Sequence, residues 1–259
     1  WGINLVIGFI LIYRIVSVEQ ITQSSQHIFR DMLKYGFFVQ VANLAQFLNY
    51  RLSYFFIQRF LGLGKLGVYE VTTRMAEGVW LFGRSIALVQ YMSISNSDDA
   101  QANKQLTLRL FRFSFVISLA LVLILISIPE SLYLAIFGND FNGIYITILL
   151  LSPGIIAIAC STIISHYFAG TGRHYLNAIG SGIGLIAIIV LCLFLIPRYG
   201  LPGAAIAASI TYTITLIYNL WLFILKTGAH FNDFLFKHAD LQHTIEFFRR
   251  SVMKQSKRE

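Results

Sequence analysis

The chain has 259 residues, of which 56% are hydrophobic and 12% charged, and its mean hydropathy is +0.68. A soluble globular domain carries roughly twice that share of charge, so this composition excludes one and points to an integral membrane protein. The formal net charge of +8 gives no reason to invoke nucleic acid, because most of the excess sits in connections between apolar segments and reads as a topology signal or a contact with membrane lipid headgroups.

Apolar stretches long enough for a hydrocarbon core of about 30 Å, which takes roughly 20 helical residues, recur along almost the whole length. They run over 1–16, 35–60, 68–92, 111–128, 144–168, 175–196 and 204–225. None shows the short polar and apolar alternation of barrel strands, so helices are the spans that satisfy their own backbone. The expectation is an all-α, polytopic membrane helical bundle. The first span opens at Trp1 without initiator Met, basic n-region or small-residue cleavage site; it does not read as a signal peptide, and we expect a fragment whose missing part lies upstream.

The second and third spans carry charges. Arg51 lies near the middle of 35–60, and Glu70, Arg74, Glu77 and Arg84 lie within 68–92. An ionisable side chain at bilayer depth costs about 2.5 to 3.5 kcal/mol on insertion scales, so such groups face a protein interior or a hydrated cavity. At 100° per residue, Gln40, Asn43, Phe47, Arg51, Tyr54 and Gln58 share one stripe, and Glu70, Thr73, Arg74, Glu77, Leu81, Arg84 and Ser85 share another. Glu70 with Arg74 and Arg74 with Glu77 stand at i,i+4 and i,i+3, spacings that let them neutralise each other; Arg51 and Arg84 have no such partner.

Two readings of these stripes stay open. The charges are buried pairs that lock two helices together, with Arg51 and Arg84 near interfaces or snorkelling. Alternatively, they line a hydrated cavity with three Arg against two Glu, suited to an anionic substrate, since a guanidinium offers bidentate bonds to phosphate and stays protonated. In that case Glu70 and Glu77 are possible ion-coupling groups.

The later spans read as scaffold. Gly180, Ser181, Gly182, Gly184 and the run Gly203, Ala204, Ala205, Ala207, Ala208 allow close helix approach. Pro153 and Gly154 predict a kink, and Pro197, Gly200, Pro202 and Gly203 predict a short turn. Cys160 and Cys192 lie inside spans and read as small buried residues. His166 reads as an interfacial polar residue, and His230, His238 and His243 as solvated. No HExxH, His/Cys cluster, Walker loop, GxGxxG or GxSxG occurs, so no metal, cofactor or enzyme activity is indicated.

Orientation follows from Lys and Arg in the connections. Arg14, Arg30 and Lys34, then Lys104, Arg109 and Arg112, then Arg173, and finally Lys226, Lys237, Arg249, Arg250, Lys254, Lys257 and Arg258 fall on one side; Arg59, Lys65 and Arg198 fall on the other. The positive-inside rule makes the carboxyl-terminal tail cytoplasmic.

The runs LKYGFFVQVANLAQFLNYRLSYFFIQRFLGLGKLGVYEVTTRMAEGVWLFGRSIALV, FGNDFNGIYITILLLSPGII, YFAGTGRHYLNAIGSGIG and LIPRYGLPGAAIAASI together resemble the carboxyl half of the oligosaccharide flippases of polysaccharide biosynthesis (O-antigen, Wzx-type). These belong to the multidrug/oligosaccharidyl-lipid/polysaccharide exporter (MOP) superfamily. The resemblance implies two six-helix lobes around a cavity and movement of an undecaprenyl-pyrophosphate-linked oligosaccharide across the inner membrane by alternating access. It implies that 1–16 is the last helix of the first lobe, 17–34 a cytoplasmic connector, 35–225 a six-helix second lobe and 226–259 a basic cytoplasmic tail. It also implies that Arg51, Arg74 and Arg84 face pyrophosphate or acidic sugars. Gln40, Asn43, Tyr54, Gln58 and Thr73 would then lie on the substrate pathway, with polysaccharide polymerase or assembly proteins as further partners. Relatives often place an acid beside the Arg of the first cavity helix, where this chain has Asn49 and Tyr50. A multidrug or small-molecule antiporter of the same superfamily and a membrane scaffold of a glycan-assembly complex are the alternatives.

Overall fold

The computed structural model describes residues 25–235. The expected span over 1–16, the first part of the connector and the tail from 236 lie outside the described residues. The chain divides into two compact units, Trp1–Gln40 and Val41–Glu259. The described part of the first is the start of a helix, and the packing below concerns the second.

The described residues form α1 (Ser25–Ser95), α2 (Ala100–Ser127), α3 (Glu130–Phe137), α4 (Ile144–Gly170) and α5 (His174–Thr227), with short 3₁₀ turns at Asn139–Phe141 and Phe231–Phe234. No strand occurs among them, as the helical expectation requires. Each predicted span from residue 35 onward falls in a helix but for the last residue of 111–128, and α2, α4 and α5 are long and apolar enough to cross a membrane, but two of the predicted connections are not loops. α1 is broken by Gly62 alone (φ 84°, ψ 177°) and α5 by Gly200 alone (φ 63°, ψ −136°). Both conformations are essentially closed to a residue with a Cβ. A single glycine therefore reverses the chain at each point, where composition had indicated turns of several residues, and each long helix is a pair of arms: 25–61 with 63–95, and 174–199 with 201–227.

α4 stands at the centre. Of its most apolar stretch 72% is buried, against 28% for α2 and 33% for α5. A helix apolar on every side belongs inside a bundle, and the exposed apolar faces of α2 and α5 are those expected of helices meeting lipid. Two apolar clusters stack along α4. One gathers Ile57, Val68, Tyr69, Ile148, Ile155, Ile188 and Ile196, and the other Ala87, Leu108, Phe111, Ile163, Phe168 and Phe223.

Small residues bring α4 and the second arm of α5 together. A Cβ on Gly154 would lie 2.6 Å from Ser209 Cα, so only glycine permits the approach. There the Ser209 hydroxyl accepts from Gly154 N–H at 3.3 Å and donates to Leu150 C=O at 2.6 Å. These are the two groups that an unbroken helix joins directly. The predicted irregularity at Pro153 is thus a place where a neighbouring helix inserts a hydroxyl into the ladder.

The helix ends are capped by side chains. Asp99 accepts from the backbone N–H of Gln101 and Ala102, both at 2.9 Å. Tyr133 donates to Leu125 O at 2.8 Å. At the far end, Lys104 Nζ donates to Thr227 O and Gly228 O, both at 3.2 Å. Arg112, counted as a connection residue from the sequence, lies inside α2, is buried and donates to Asp233 O at 2.6 Å. The first residues after α5 therefore fold back onto α2, with Phe234 against Phe111 and Phe223. Both cysteines are free and buried, as expected.

Candidate functional site

The charged stripes meet on one face of the two arms of α1. Arg51 on the first arm reaches across the Gly62 break: its Nη2 lies 3.0 Å from Glu77 Oε1. Its Nη1 donates to Tyr54 Oη at 2.8 Å, and the guanidinium carbon stands 5.1 Å from the centre of that ring. Tyr54 Oη in turn bonds Thr73 Oγ1. Because Thr73 Oγ1 donates to Tyr69 O and Glu70 O, each at 3.0 Å, its proton is committed and Tyr54 is the donor between them. The run Arg51, Tyr54, Thr73, backbone carbonyl thus points its donors one way along the face.

Arg74 completes the set. Its Nη1 lies 3.5 Å from Glu77 Oε2 and its Nη2 3.5 Å from Glu70 Oε1, so the i,i+3 and i,i+4 spacings do make contact. Glu77 thereby bridges two guanidiniums, and Arg51, Arg74, Glu70 and Glu77 form a network with no net charge. The Arg51 and Glu77 side chains are 30% and 34% exposed and those of Arg74 and Glu70 60% and 49%, so the network lies at the open surface of its unit.

Arg84 stands apart. It is exposed, and among the described residues no carboxylate forms an ion pair with it. Its guanidinium carbon lies 5.5 Å from the centre of the Trp80 ring system, a cation–π arrangement. Trp80 is itself fixed: its indole N–H donates to Thr162 Oγ1 at 3.0 Å, and Tyr50 meets it edge-on at 5.3 Å, with the Tyr50 hydroxyl held by Gln46 Nε2 at 2.7 Å.

Between these groups lies a small cavity of about 40 Å³ lined by Tyr50, Tyr54, Thr73, Glu77, Trp80 and Tyr212 among others. That is room for about one water molecule, so the open face, rather than this hollow, is the feature with room for a substrate. Of the expected pathway residues, the structure joins Arg51, Tyr54, Thr73, Arg74, Glu70 and Glu77. Asn43 and Gln58 are exposed on α1, outside the described network, and Gln40, also exposed, belongs to the other compact unit.

Sequence reasoning missed Trp80, Tyr50 and Tyr212. Trp80 follows Glu77 by three residues and precedes Arg84 by four, so it shares their face; that spacing was the available signal. For Tyr212, 158 positions beyond Tyr54 in the chain, there was none. Among the described residues no group of His, Cys, Asp and Glu is arranged to hold a metal ion.

Residues 3–146 match the model of the family described as "Polysaccharide biosynthesis protein". The capsular polysaccharide biosynthesis protein CapF of Staphylococcus aureus is 31% identical over 88 residues, 34% of this chain and 22% of that protein. Among solved structures, the fold is similar to an outward-facing multidrug resistance MATE family transporter of the MOP superfamily, with a TM-score of 0.67 at 15% identity, covering 86% of this chain and 53% of that one. It is equally similar to a MOP superfamily transporter from Pyrococcus furiosus reported for the reverse polarity of its binding pocket, with a TM-score of 0.67 at 14% identity over 86% and 52% of the two chains. The chain thus spans about half the length of these solved transporters and a smaller part of the curated relative. It belongs to the polysaccharide biosynthesis protein family, and it is a multi-pass membrane protein with the fold of MOP superfamily transporters.

Proposed function

We propose that this chain is part of an exporter that moves a lipid-linked oligosaccharide, carried on undecaprenyl pyrophosphate, across the inner membrane by alternating access, with its tail on the cytoplasmic side. The observation that carries this reading is the single open face of α1, where Arg51, Tyr54, Thr73, Arg74, Glu70 and Glu77 form one hydrogen-bonded network, in a chain whose α2, α4 and α5 are long and apolar enough to cross a membrane, so that on this reading α1 lies at membrane depth among them. Charges at that depth are retained where they meet water or a polar cargo, and a face of hydroxyls, guanidiniums and carboxylates matches the donors and acceptors of a sugar chain. Family membership supports a role in polysaccharide biosynthesis. On this reading 35–225 is one lobe and the face described here is one wall of a cavity completed by another. An exporter of organic cations would call for an acidic excess, whereas this wall holds three Arg and two Glu.

The test is complementation by the full-length protein in a strain lacking its own flippase. Arg51→Ala, Arg74→Ala and Arg84→Ala should each reduce surface glycan, and normal surface glycan from all three would sink the cationic-wall reading. Deleting residues 236–259 should leave export measurable. Complete loss, with the truncated protein still inserted, would favour a scaffold that acts through its tail.

A further inference from the structure

The three arginines of the face are not equivalent. Arg51 and Arg74 are engaged by Glu77 and Glu70, and those four residues sum to zero charge. Arg84 has no carboxylate among the described residues and is exposed. It lies seven residues beyond Glu77 on a continuous helix, hence about 10 Å along the axis. It is also about 16 Å of helix from the end of α1 at Ser95. A guanidinium held against an aromatic face, with no carboxylate paired to it among the described residues, is prepared for an anion that arrives from outside the fold.

Its support is rigid. The ring of Trp80 lies under the guanidinium at 5.5 Å, and its N–H is tied to Thr162 Oγ1 at 3.0 Å. Thr162 is in turn bonded to Ile158 O on α4 at 2.7 Å. The most buried helix of the bundle therefore fixes the platform on which Arg84 rests. Holding a flexible side chain in place before binding lowers the entropic cost of using it.

We infer that Arg84 is the phosphoryl-reading residue of this wall, with Trp80 and Thr162 as its positioning residues. The neutral network of Arg51, Tyr54, Thr73, Arg74, Glu70 and Glu77 contacts uncharged polar parts of the cargo about 10 Å away. The assignment rests on the reading that the cargo is a lipid pyrophosphate bearing sugars, and it divides that cargo between two levels of one face. Arg51 and Arg74 are then counter-ions first and ligand contacts second.

The test uses full-length protein in phosphatidylcholine nanodiscs, titrated calorimetrically with farnesyl pyrophosphate and with farnesol against empty discs. The quantity compared is the preference for the pyrophosphate, which is a ratio within one variant and so is insensitive to partial loss of folded protein. Arg84→Gln should lower that preference tenfold or more, Arg84→Lys by a smaller factor, and Thr162→Val by about twofold to threefold. The Arg51→Gln/Glu77→Gln pair, which removes charge in balance, should lower it less than Arg84→Gln. An unchanged preference in Arg84→Gln, or an equal loss in the paired variant, overturns the assignment and leaves the substrate reading standing. Absence of any preference in the wild-type protein overturns the substrate reading together with the assignment. Discs of phosphatidylglycerol separate the two sources of phosphate. If they abolish the preference, Arg84 belongs to bilayer headgroups and the inference fails; a preference retained in them supports it.

Discussion

α1 and α4 both carry polar groups along long helices, and they do so in opposite ways. α1 carries full charges on an open face, where four of them neutralise one another at 3.0 to 3.5 Å. α4 carries no Asp, Glu, Lys or Arg and hides small hydroxyls inside the bundle: Ser152 Oγ donates to Ile148 O at 2.8 Å, Thr162 Oγ1 to Ile158 O at 2.7 Å, and Ser161 Oγ accepts from Asn219 at 2.7 Å. The difference separates two uses of polarity. Inside α4 it is buried and bonded to the helix's own carbonyls or to a neighbouring helix; on α1 it is mutual, crosses between the arms and faces outward, as an exchangeable contact must.

The most severe way to break the comparison is to crowd α4. Gly154→Val adds a branched side chain where a Cβ alone would stand 2.6 Å from Ser209 Cα and 2.9 Å from its Oγ. Because the nearest obstacle is backbone, no rotamer relieves it, and the whole second arm of α5 must shift. Overpacking of this kind costs about 3 kcal/mol. We expect loss of the monodisperse species in fluorescence-detected size exclusion, or a fall of many degrees in the unfolding midpoint. A midpoint within two or three degrees of wild type would mean that the two helices are less closely held than their small residues indicate.

On α1 the informative change is Glu77→Ala, which strands Arg51 and removes one of the two carboxylates of Arg74. Breaking a fully buried pair from one side costs about 3 to 5 kcal/mol. With both side chains about a third exposed, solvent screening brings the expected loss to about 1 to 2 kcal/mol. Glu77→Gln keeps an acceptor for Arg51 and should cost less. Glu70→Ala, at an exposed contact of 3.5 Å, should stay within about 0.5 kcal/mol. Thermal or SDS unfolding of the three variants should return that order. If Glu70→Ala equals Glu77→Ala, Glu77 does not have the bridging place given to it here.

How much of this was legible beforehand follows from what sets each contact. The stripes were readable because a 3.6-residue period puts Glu70, Arg74, Glu77 and Arg84 on one face whatever surrounds the helix. The pair Arg51 with Glu77 was not, since it depends on how the two arms are rotated about Gly62. For the same reason Arg51 and Arg84 looked alike in sequence, each without a partner at helical spacing, and only the folded chain distinguishes them. Pro153 and Gly154 announced an irregularity but not its occupant, because Ser209 lies 55 residues from Gly154. The glycines at 62 and 200 were visible as residues, but their neighbours Lys65, Pro197 and Pro202 pointed to longer loops; the flanking segments stay helical because apolar packing on both sides outweighs those local signals.

A small coupling tests where the two helices touch. Trp80 N–H to Thr162 Oγ1, 3.0 Å, is a hydrogen bond between side chains of α1 and α4, and such bonds between membrane helices contribute about 0.6 kcal/mol. Thr162→Val keeps the branched shape, forfeits this bond and frees Ile158 O, which retains its backbone partner in the helix. Trp80→Phe forfeits the same bond and also some ring area, so its single effect should be larger. The two changes should therefore be non-additive: in a double-mutant cycle read by reversible unfolding, the coupling should be about 0.6 kcal/mol, with the double variant less destabilised than the sum of the two. A coupling indistinguishable from zero would mean that the platform under Arg84 is positioned by packing and not by this bond. The polar character of α4 would then have no bearing on the open face of α1.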